Sequence, residues 1–412
     1  MVEVRPKTEG SGMAMTPGTW PDARTAVLDW LVHDAAAEPF FDNLLVELCR
    51  RLHAEGVPIA RSMLIVRTNN PEWLGARMLW RPGFTSAEIR TVDYDSLLKD
   101  SYLQSPMKAV QDGTDFIRRQ LFATRAVDDD YNLLADLRAD GLTDYAIYAL
   151  KFTRGERHAL SFASDRPGGF SDGDMRVIGD LIPVMTILIE SRLRNRLART
   201  FLETYVGPYA SREILAGATR RGSGSTVEAA VIICDLRGFT AISELWPRDD
   251  VIAMLNEYFD AMSEPIERHG GEILKFMGDG LLAIFPLTQP DAPSEALRAV
   301  VEARTAMAAL NDRREQRGLD RLGYGVGVHV GGVMYGNIGS RKRLDFTVIG
   351  PAVNVASRLE ALTKTVGHTI LLSGAFVAAA RLGVEVEPLG ALDLPGVARP
   401  TNVFALRDGS AS

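Results

Sequence analysis

Residues 272–285 read EILKFMGDGLLAIF, and this stretch decides the fold. Its two apolar segments, Glu272–Phe276 and Leu281–Phe285, predict two strands, and the glycine-rich Met277–Gly280 between them predicts a tight hairpin turn. Upstream, Ala229–Cys234 is a continuous apolar run, which is typical of a strand buried on both faces. We therefore expect these three strands to lie in one sheet.

Helical patterns separate these strands. Apolar residues between Val251 and Ile266 recur at helical spacing, and a second helix is predicted at Ser294–Arg317, before a strand at Tyr324–Val330. The resulting order is βαββαβ. This order predicts an α+β fold, a ferredoxin-like α/β sandwich whose sheet is covered on one side by helices.

The composition is that of an ordinary globular protein, with 46% hydrophobic and 24% charged residues among 412. This length predicts two domains. The net charge of −7 predicts neither a nucleic-acid partner nor attraction to anionic membranes.

The chain shows no targeting or membrane signal. No run of about 18 apolar residues occurs, so no transmembrane segment is predicted. Residues 1–19 are polar and rich in glycine, proline and threonine, which predicts a disordered lead-in. The two cysteines, Cys49 and Cys234, lie far apart, which argues against a disulfide framework or a zinc site and indicates a cytoplasmic location.

The N-terminal half carries fewer chemical signals. Two strands are predicted at Tyr145–Phe152 and His158–Ala163, joined as a hairpin, and Ser171 or Asp174 is expected to open a helix. In its mix of helix, strands and hairpin, the region 20–175 resembles a GAF-like sensor domain. That resemblance implies an α/β domain that binds a small-molecule ligand and regulates the C-terminal half of the chain.

A helical linker is predicted at residues 176–218. Its apolar residues recur every three or four positions: Ile178, Ile182, Met185, Ile189, Leu193, Leu197 and Phe201. This spacing predicts a seam that pairs with a partner helix in a two-stranded coiled coil; the alternative is an ordinary helix packed on its own domain. Thr219–Ser225, rich in glycine and serine, predicts a flexible joint.

Two aspartates are expected to meet at one edge of the C-terminal sheet. Asp235 ends the first buried strand and Asp279 lies in the hairpin turn. Two carboxylates held close together repel unless a cation lies between them, and oxygen ligands suit Mg²⁺ or Mn²⁺. The alternative is that they are two unrelated turn aspartates.

The segments around these aspartates closely resemble the class III nucleotidyl cyclase family. The three segments are Asp235–Thr240 (DLRGFT), Lys275–Gly280 (KFMGDG) and Thr347–Glu360 (TVIGPAVNVASRLE). The resemblance covers residues 226–408 and implies a homodimeric adenylate cyclase that converts ATP to cyclic AMP and pyrophosphate. It implies two Mg²⁺ or Mn²⁺ ions per site, held by Asp235 and Asp279. It also assigns a substrate-binding segment whose first four residues offer backbone amides to the phosphates. The segment consists of Leu236, Arg237, Gly238, Phe239 and Thr240.

The same resemblance assigns a catalytic pair, Asn354 and Arg358. They are four apart on a predicted helix and so project from one face. Asn354 would orient the ribose, and Arg358 would stabilise charge on the α-phosphoryl group. In the family, this helix and the metal aspartates of one site come from opposite subunits. Without the resemblance, such a pair would be read as a solvated helix face.

Lys275 and Thr347 match the residues that read the base. A lysine donates to adenine N1, and a threonine hydroxyl accepts from the adenine amino group, whereas guanine presents a donor to the lysine. The resemblance therefore implies ATP rather than GTP as the substrate.

One position departs from the family pattern. Pro395 stands where the family often has a lysine that contacts the terminal phosphates, and Arg399 or the loop Arg341–Arg343 would have to replace it. Three alternative functions remain. Lys275 argues against a guanylate cyclase. The complete set of site residues argues against a non-catalytic cyclase-like module that only dimerises or binds nucleotide. The incomplete His269–Ile273 signature argues against a diguanylate cyclase.

Overall fold

The computed structural model describes residues 20–22, 24–68, 73–122, 131–381, 385–397 and 399–407. The lead-in predicted at residues 1–19 lies outside them. The chain divides into two compact units, Met1–Thr200 and Phe201–Ser412. None of the described helices is both long and apolar enough to cross a bilayer.

The first unit is built on a six-stranded sheet. Its strands are β1 (Arg61–Arg67), β2 (Gly75–Trp80), β3 (Glu88–Val92), β4 (Phe116–Gln120), β5 (Asp144–Lys151) and β6 (Arg157–Ser164). Its helices are α1 (Ala26–His33), α2 (Phe41–Ala54), α3 (Asp100–Leu103), α4 (Pro106–Gln111), α5 (Leu133–Ala139) and the first part of α6 (Asp172–Val206), with 3₁₀ turns at Ala35–Ala37 and Tyr94–Leu98.

These strands are antiparallel and follow the order β3-β2-β1-β6-β5-β4. Side chains alternate between the two faces of a strand. Leu64 and Val66 of β1 therefore join the core formed with α1, α2 and α6, while Ile65 packs with a second cluster on the other face. The predicted β5–β6 hairpin is confirmed. The GAF-like assignment of this unit stays a prediction.

Helix α6 begins close to where the sequence predicts. The Asp174 N–H donates to Ser171 Oγ at 3.1 Å, and the Ser171 N–H donates to the Asp174 carboxylate at 2.7 Å. This reciprocal pair satisfies two donors that an open helix end would leave without a partner.

The coiled-coil seam predicted along α6 is wrong for its N-terminal part. Four of its residues are buried in the core of the first unit: Ile178, Met185, Ile189 and Leu193. They lie over the apolar face of the sheet, so packing within one chain already removes them from water. The ordinary-helix alternative holds here, and the seam beyond Leu197 stays a prediction.

The second unit is built on an eight-stranded sheet. Its strands are β7 (Gly224–Leu236), β8 (Glu272–Met277), β9 (Gly280–Pro286), β10 (Tyr324–Gly339), β11 (Leu344–Ile349), β12 (Ile370–Ser373), β13 (Val386–Leu392) and β14 (Thr401–Leu406). Its helices after α6 are α7 (Pro208–Leu215), α8 (Phe239–Leu245), α9 (Arg248–Arg268), α10 (Ala292–Gln316), α11 (Pro351–Val366) and α12 (Gly374–Ala379).

The predicted ferredoxin-like layout is confirmed. Strands β10, β7, β9 and β8 are neighbours in that order and pair antiparallel. The expectation that helices cover only one side is wrong. Ile232 faces α9 and α10, whereas Val231 lies in a second cluster that includes Ala356 of α11. Because β7 is buried on both faces, its sequence is continuously apolar.

Two strands extend further than predicted. β7 begins at Gly224, within the expected joint, and β10 continues to Gly339. The two pair from Leu236 with Tyr324 to Gly224 with Gly336. A Cβ on Gly336 would lie 2.4 Å from the Gly224 Cα. Glycine therefore permits a close backbone approach here. For the same reason, a glycine-rich segment that predicts a flexible joint forms part of a strand.

Candidate active site

The two aspartates lie at one edge of the second unit's sheet, as predicted. Asp235 is next to last in β7 and pairs in register with Gly280, the residue after Asp279. A Cβ on Gly280 would lie 3.2 Å from Asp235 Oδ1, so glycine leaves room for the carboxylate. Burial and the nearby charge of Asp235 raise the pKa of Asp279. The two carboxyl groups therefore form one electrostatic unit.

A lysine that the sequence analysis did not single out also reaches this pair. Lys364 Nζ lies 3.4 Å from Asp235 Oδ2 and 3.9 Å from Glu360 Oε1. Glu360 is buried, and its burial raises the pKa of its carboxyl group. Within the described chain, Glu360 Oε1 has no hydrogen-bond partner. The edge thus holds three carboxyl groups and one ammonium group.

The aspartate pair fits a divalent cation of the Mg²⁺ or Mn²⁺ type. It offers oxygen ligands only, and the mutual repulsion of the two groups favours a cation between them. In the described part of the chain, no group of three or more His, Cys, Asp or Glu side chains is placed to hold a metal ion. Phosphate oxygens and water would therefore have to complete the ligand shell.

The segment predicted to bind phosphates starts inside β7. Leu236 is buried as its last residue. The Arg237 N–H donates to the Gly323 carbonyl at 2.8 Å, so this amide already has a partner, contrary to expectation. The Arg237 guanidinium donates to the carbonyls of Thr363 and His368, at 3.2 and 3.0 Å. Arg237 therefore ties β7 to the end of α11.

The segment continues into a helix start. Gly238 has φ +73°, a left-handed conformation that favours glycine, and α8 opens at Phe239. The N–H groups of Phe239 and Thr240 lie in the first turn, where a helix supplies no carbonyl partner of its own. These amides are better placed to meet an anion than the amide of Arg237.

Lys275 and Thr347 line one cleft of about 520 Å³ in the second unit. Lys275 Nζ donates to Asp345 Oδ2 at 2.7 Å. Asp345 and Thr347 are two apart in β11 and so share a face. A lysine has three donors, so this contact fixes its position and leaves two donors for another partner. We call this space the base cleft.

Asn354 and Arg358 are exposed, one turn apart on α11. The Arg358 Nε donates to the Pro395 carbonyl at 3.1 Å. Lys364 stands six residues beyond Arg358, which is about 240° around a helix that turns roughly 100° per residue. Within one chain, α11 therefore presents Lys364 to the acidic pair and turns Arg358 toward Pro395.

Three residues of this region escaped the sequence analysis. Glu360 and Lys364 are four apart, the spacing of two residues on one helix face. Asp345 shares the strand face of Thr347. Periodicity alone could have grouped these residues with the site. The identity of their partners depends on how α11 and β11 lie against the sheet.

Residues 223–407 match the adenylate and guanylate cyclase catalytic domain family. The second unit contains a cyclase catalytic domain. All six residues to which the sequence assigns metal, base or catalytic roles lie inside the matched range. The match does not reach the N-terminal unit.

Known cyclases resemble this domain. An adenylate cyclase of Anabaena cylindrica is 39% identical over 160 residues, 38% of this chain and 31% of that protein. Adenylate cyclase 1 of Rhizobium meliloti is 34% identical over 179 residues, 43% of this chain and 27% of that protein. The match thus spans under a third of each relative. The crystal structure of the adenylyl cyclase CyaB from P. aeruginosa covers 46% of this chain and 98% of its own, with 26% identity and a TM-score of 0.42.

Proposed function

We propose that this protein is an adenylate cyclase that converts ATP to 3′,5′-cyclic AMP and pyrophosphate. The observation that carries the proposal is the base cleft, in which Lys275 and Thr347 lie together in a domain that also pairs Asp235 with Asp279. The lysine donates to adenine N1, and the threonine hydroxyl accepts from the adenine amino group. The two named adenylate cyclases that resemble the domain support this substrate.

The reaction is an intramolecular displacement. The ribose 3′-oxygen forms a bond to the α-phosphorus, the bond from that phosphorus to the α–β bridging oxygen breaks, and the hydroxyl proton passes to solvent. Pyrophosphate leaves with the electron pair of the broken bond. Asp235 and Asp279 would hold two Mg²⁺ or Mn²⁺ ions, which when bound neutralise phosphate charge and activate the hydroxyl.

The remaining residues bind and orient the substrate. The N–H groups of Phe239 and Thr240 donate to phosphate oxygens. Asn354 orients the ribose. Arg358 presents a planar fork of donors to the α-phosphoryl group, where negative charge grows in the transition state. To do so, it exchanges the Pro395 carbonyl for the substrate.

Each site requires two chains. Within one chain, the residue of α11 that reaches Asp235 is Lys364, while Arg358 bonds Pro395. We infer a two-fold homodimer with two equivalent sites, each combining the aspartates of one chain with Asn354 and Arg358 of the other. The charge that replaces the family's phosphate lysine at Pro395 would come from Arg399 or the loop Arg341–Arg343.

Regulation would pass through α6. We propose that the N-terminal unit is a GAF-like sensor. The last residues of α6, Glu203–Val206, line the base cleft together with Lys275. Glu272, three residues before Lys275 in β8, accepts a hydrogen bond from Tyr335 at 2.8 Å. A shift of the end of α6 would therefore change the walls of the cleft directly.

The test is product identification with the full chain. We expect incubation with ATP and Mn²⁺ to give a product with the mass of cyclic AMP, at a higher rate than GTP gives cyclic GMP. The Asp279→Asn variant serves as the matched control and should give neither product. A faster reaction with GTP, or no product from either nucleotide, would overturn the proposal.

A further inference from the structure

The first unit contains a cavity of about 450 Å³ over one face of its sheet. Its floor includes Met63 and Ile65 of β1, Ile147 of β5 and Ser161 of β6, which point to one side because strand side chains alternate. The opposite face of the sheet packs against α1, α2 and α6. Leu97 and Met107 are among the residues that close the cavity. Its volume is that of a small-molecule site.

Three arginines line this cavity. Arg61 and Arg67 stand at the two ends of β1, and Arg77 of β2 lies directly opposite Ile65 in register. Lys99 also lines the cavity, and the lining includes one carboxylate, Asp136. Among the described lining residues, four cations thus face one carboxylate around a largely apolar floor.

No described carboxylate pairs with these arginines. Across the residues the structure describes, none of the three takes part in an ion pair, and the Nε atoms of Arg61 and Arg67 are buried without a hydrogen-bond partner. Buried polar groups are almost always hydrogen-bonded, and an unpaired buried cation is costly. Burial lowers the pKa of Arg61, yet arginine remains charged in proteins. An anion entering the cavity would offset this cost.

We propose that this cavity binds a small anion with an apolar body. Its carboxylate or phosphate group contacts Arg67 and Arg77, which are near neighbours on adjacent strands, while Arg61 adds positive charge at the other end of β1. The guanidinium fork suits the two oxygens of either group. The apolar body would lie on Met63, Ile65 and Ile147, where it is removed from water. This site would give the proposed sensor unit a ligand of defined chemistry. Only the regulatory role of the site rests on the proposed function. Because the test measures binding, its failure is distinguishable from a failure of the cyclase assay.

The experiment titrates the full chain with two fluorescent probes. One is 1-anilinonaphthalene-8-sulfonate, an apolar anion, and the other is N-phenyl-1-naphthylamine, its uncharged analogue. In the double variant Arg61→Met, Arg67→Met we expect the Kd of the anionic probe to rise by about tenfold or more, since charge-assisted hydrogen bonds are lost. The Kd of the uncharged probe should change less than about twofold, because the apolar floor is intact. The control Arg50→Met, at an exposed position of α2 on the opposite side of the sheet, should change neither.

Displacement identifies the head group. Decanoate, decyl phosphate or both should displace the anionic probe from the wild type, and decanol should not. Whichever anion competes more strongly names the group that the arginines prefer. Equal weakening of both probes, no effect of the double variant, or equal displacement by decanol would overturn the proposal.

Thermal unfolding without any probe separates a ligand site from a structural role. Because the arginines have no ion-pair partner in the described chain, the double variant should unfold at the same temperature as the wild type or higher. A marked fall would show that the arginines also support the fold, and the probe comparison would then rest on Arg77→Met, in which an unchanged Kd of the anionic probe would overturn the proposal. The single variant Arg77→Met, at an exposed position, provides the same probe comparison if the double variant does not fold.

Discussion

Lys364 and Asp235 form an ion pair at the acidic edge of the cyclase domain, with 3.4 Å between Nζ and Oδ2. The lysine stands on α11 and the aspartate near the end of β7, so the contact joins helix and strand within one chain. It places a cation beside the carboxylates that would hold divalent ions. A divalent ion bound there would therefore compete with the lysine for the same oxygen.

This competition gives the first prediction. Lys364→Met should lower the Kd of Mn²⁺ by about two- to fivefold, because a half-exposed ion pair contributes at most about 1 kcal/mol. Calorimetric titration of the nucleotide-free protein measures it. Lys108→Met, which removes an ion pair with Asp112 in the first unit, is the control. An unchanged or raised Kd in the Lys364 variant would show that the lysine does not compete.

The second prediction concerns pH and stability. The folded pKa of Asp279 lies above its ordinary value of 3.8, so the folded state binds this proton more tightly than the unfolded state does. The free energy of unfolding therefore falls as the pH rises above 3.8. This loss of stability reaches its full size once the pH exceeds the folded pKa of Asp279. Without metal, Asp279→Asn should be more stable than the wild type at neutral pH. The difference should vanish as the pH approaches 3.8.

Urea unfolding in a chelating buffer measures this difference, with Asp250→Asn, at an exposed position of α9, as the control. Added Mn²⁺ should reverse the order, because only the wild type retains both ligands. A less stable Asp279→Asn variant at neutral pH without metal would mean that the carboxyl group stabilises the fold by itself.

The third prediction concerns Asp345. Its contact with Lys275 fixes the lysine in the base cleft, so Asp345→Asn should raise the KM for ATP by about three- to tenfold, as for the loss of one charged hydrogen bond. Glu267→Gln changes a carboxylate of the same cleft without touching this pair. The Glu267 variant should therefore keep the wild-type KM. If the Asp345 variant also kept it, Asp345 would not position the lysine.

Base choice gives the fourth prediction. Changing Lys275 to Glu and Thr347 to Cys should reduce the ratio of kcat/KM for ATP to that for GTP, since the donor to adenine N1 becomes an acceptor. The ratio is measured in a variant that still turns over. An unchanged ratio would remove both residues from the substrate site.

Sequence patterns predicted the catalytic domain well and its surroundings less well. The β7–β9 strands, the hairpin turn and the position of Asp235 beside Asp279 follow from short-range apolar and glycine patterns. Met185 was wrongly assigned to a coiled-coil seam. Helical spacing predicts that a helix has an apolar face, but it does not predict which element packs against that face. Lys364 was missed because its importance depends on the packing of α11. The hydrogen bond of the Arg237 amide was missed because its acceptor, the Gly323 carbonyl, is distant in the sequence.

We propose that two chains complete each site, and complementation tests this most directly. Asp235→Ala and Arg358→Ala should each be inactive alone. After subunit exchange in an equal mixture, about half of the dimers are mixed and carry one intact site, so about a quarter of wild-type activity should return. Mixing Asp235→Ala with Asp279→Ala should restore nothing, since each site then lacks an aspartate. No recovery in the first mixture, with exchange shown by labelled subunits, would contradict shared sites.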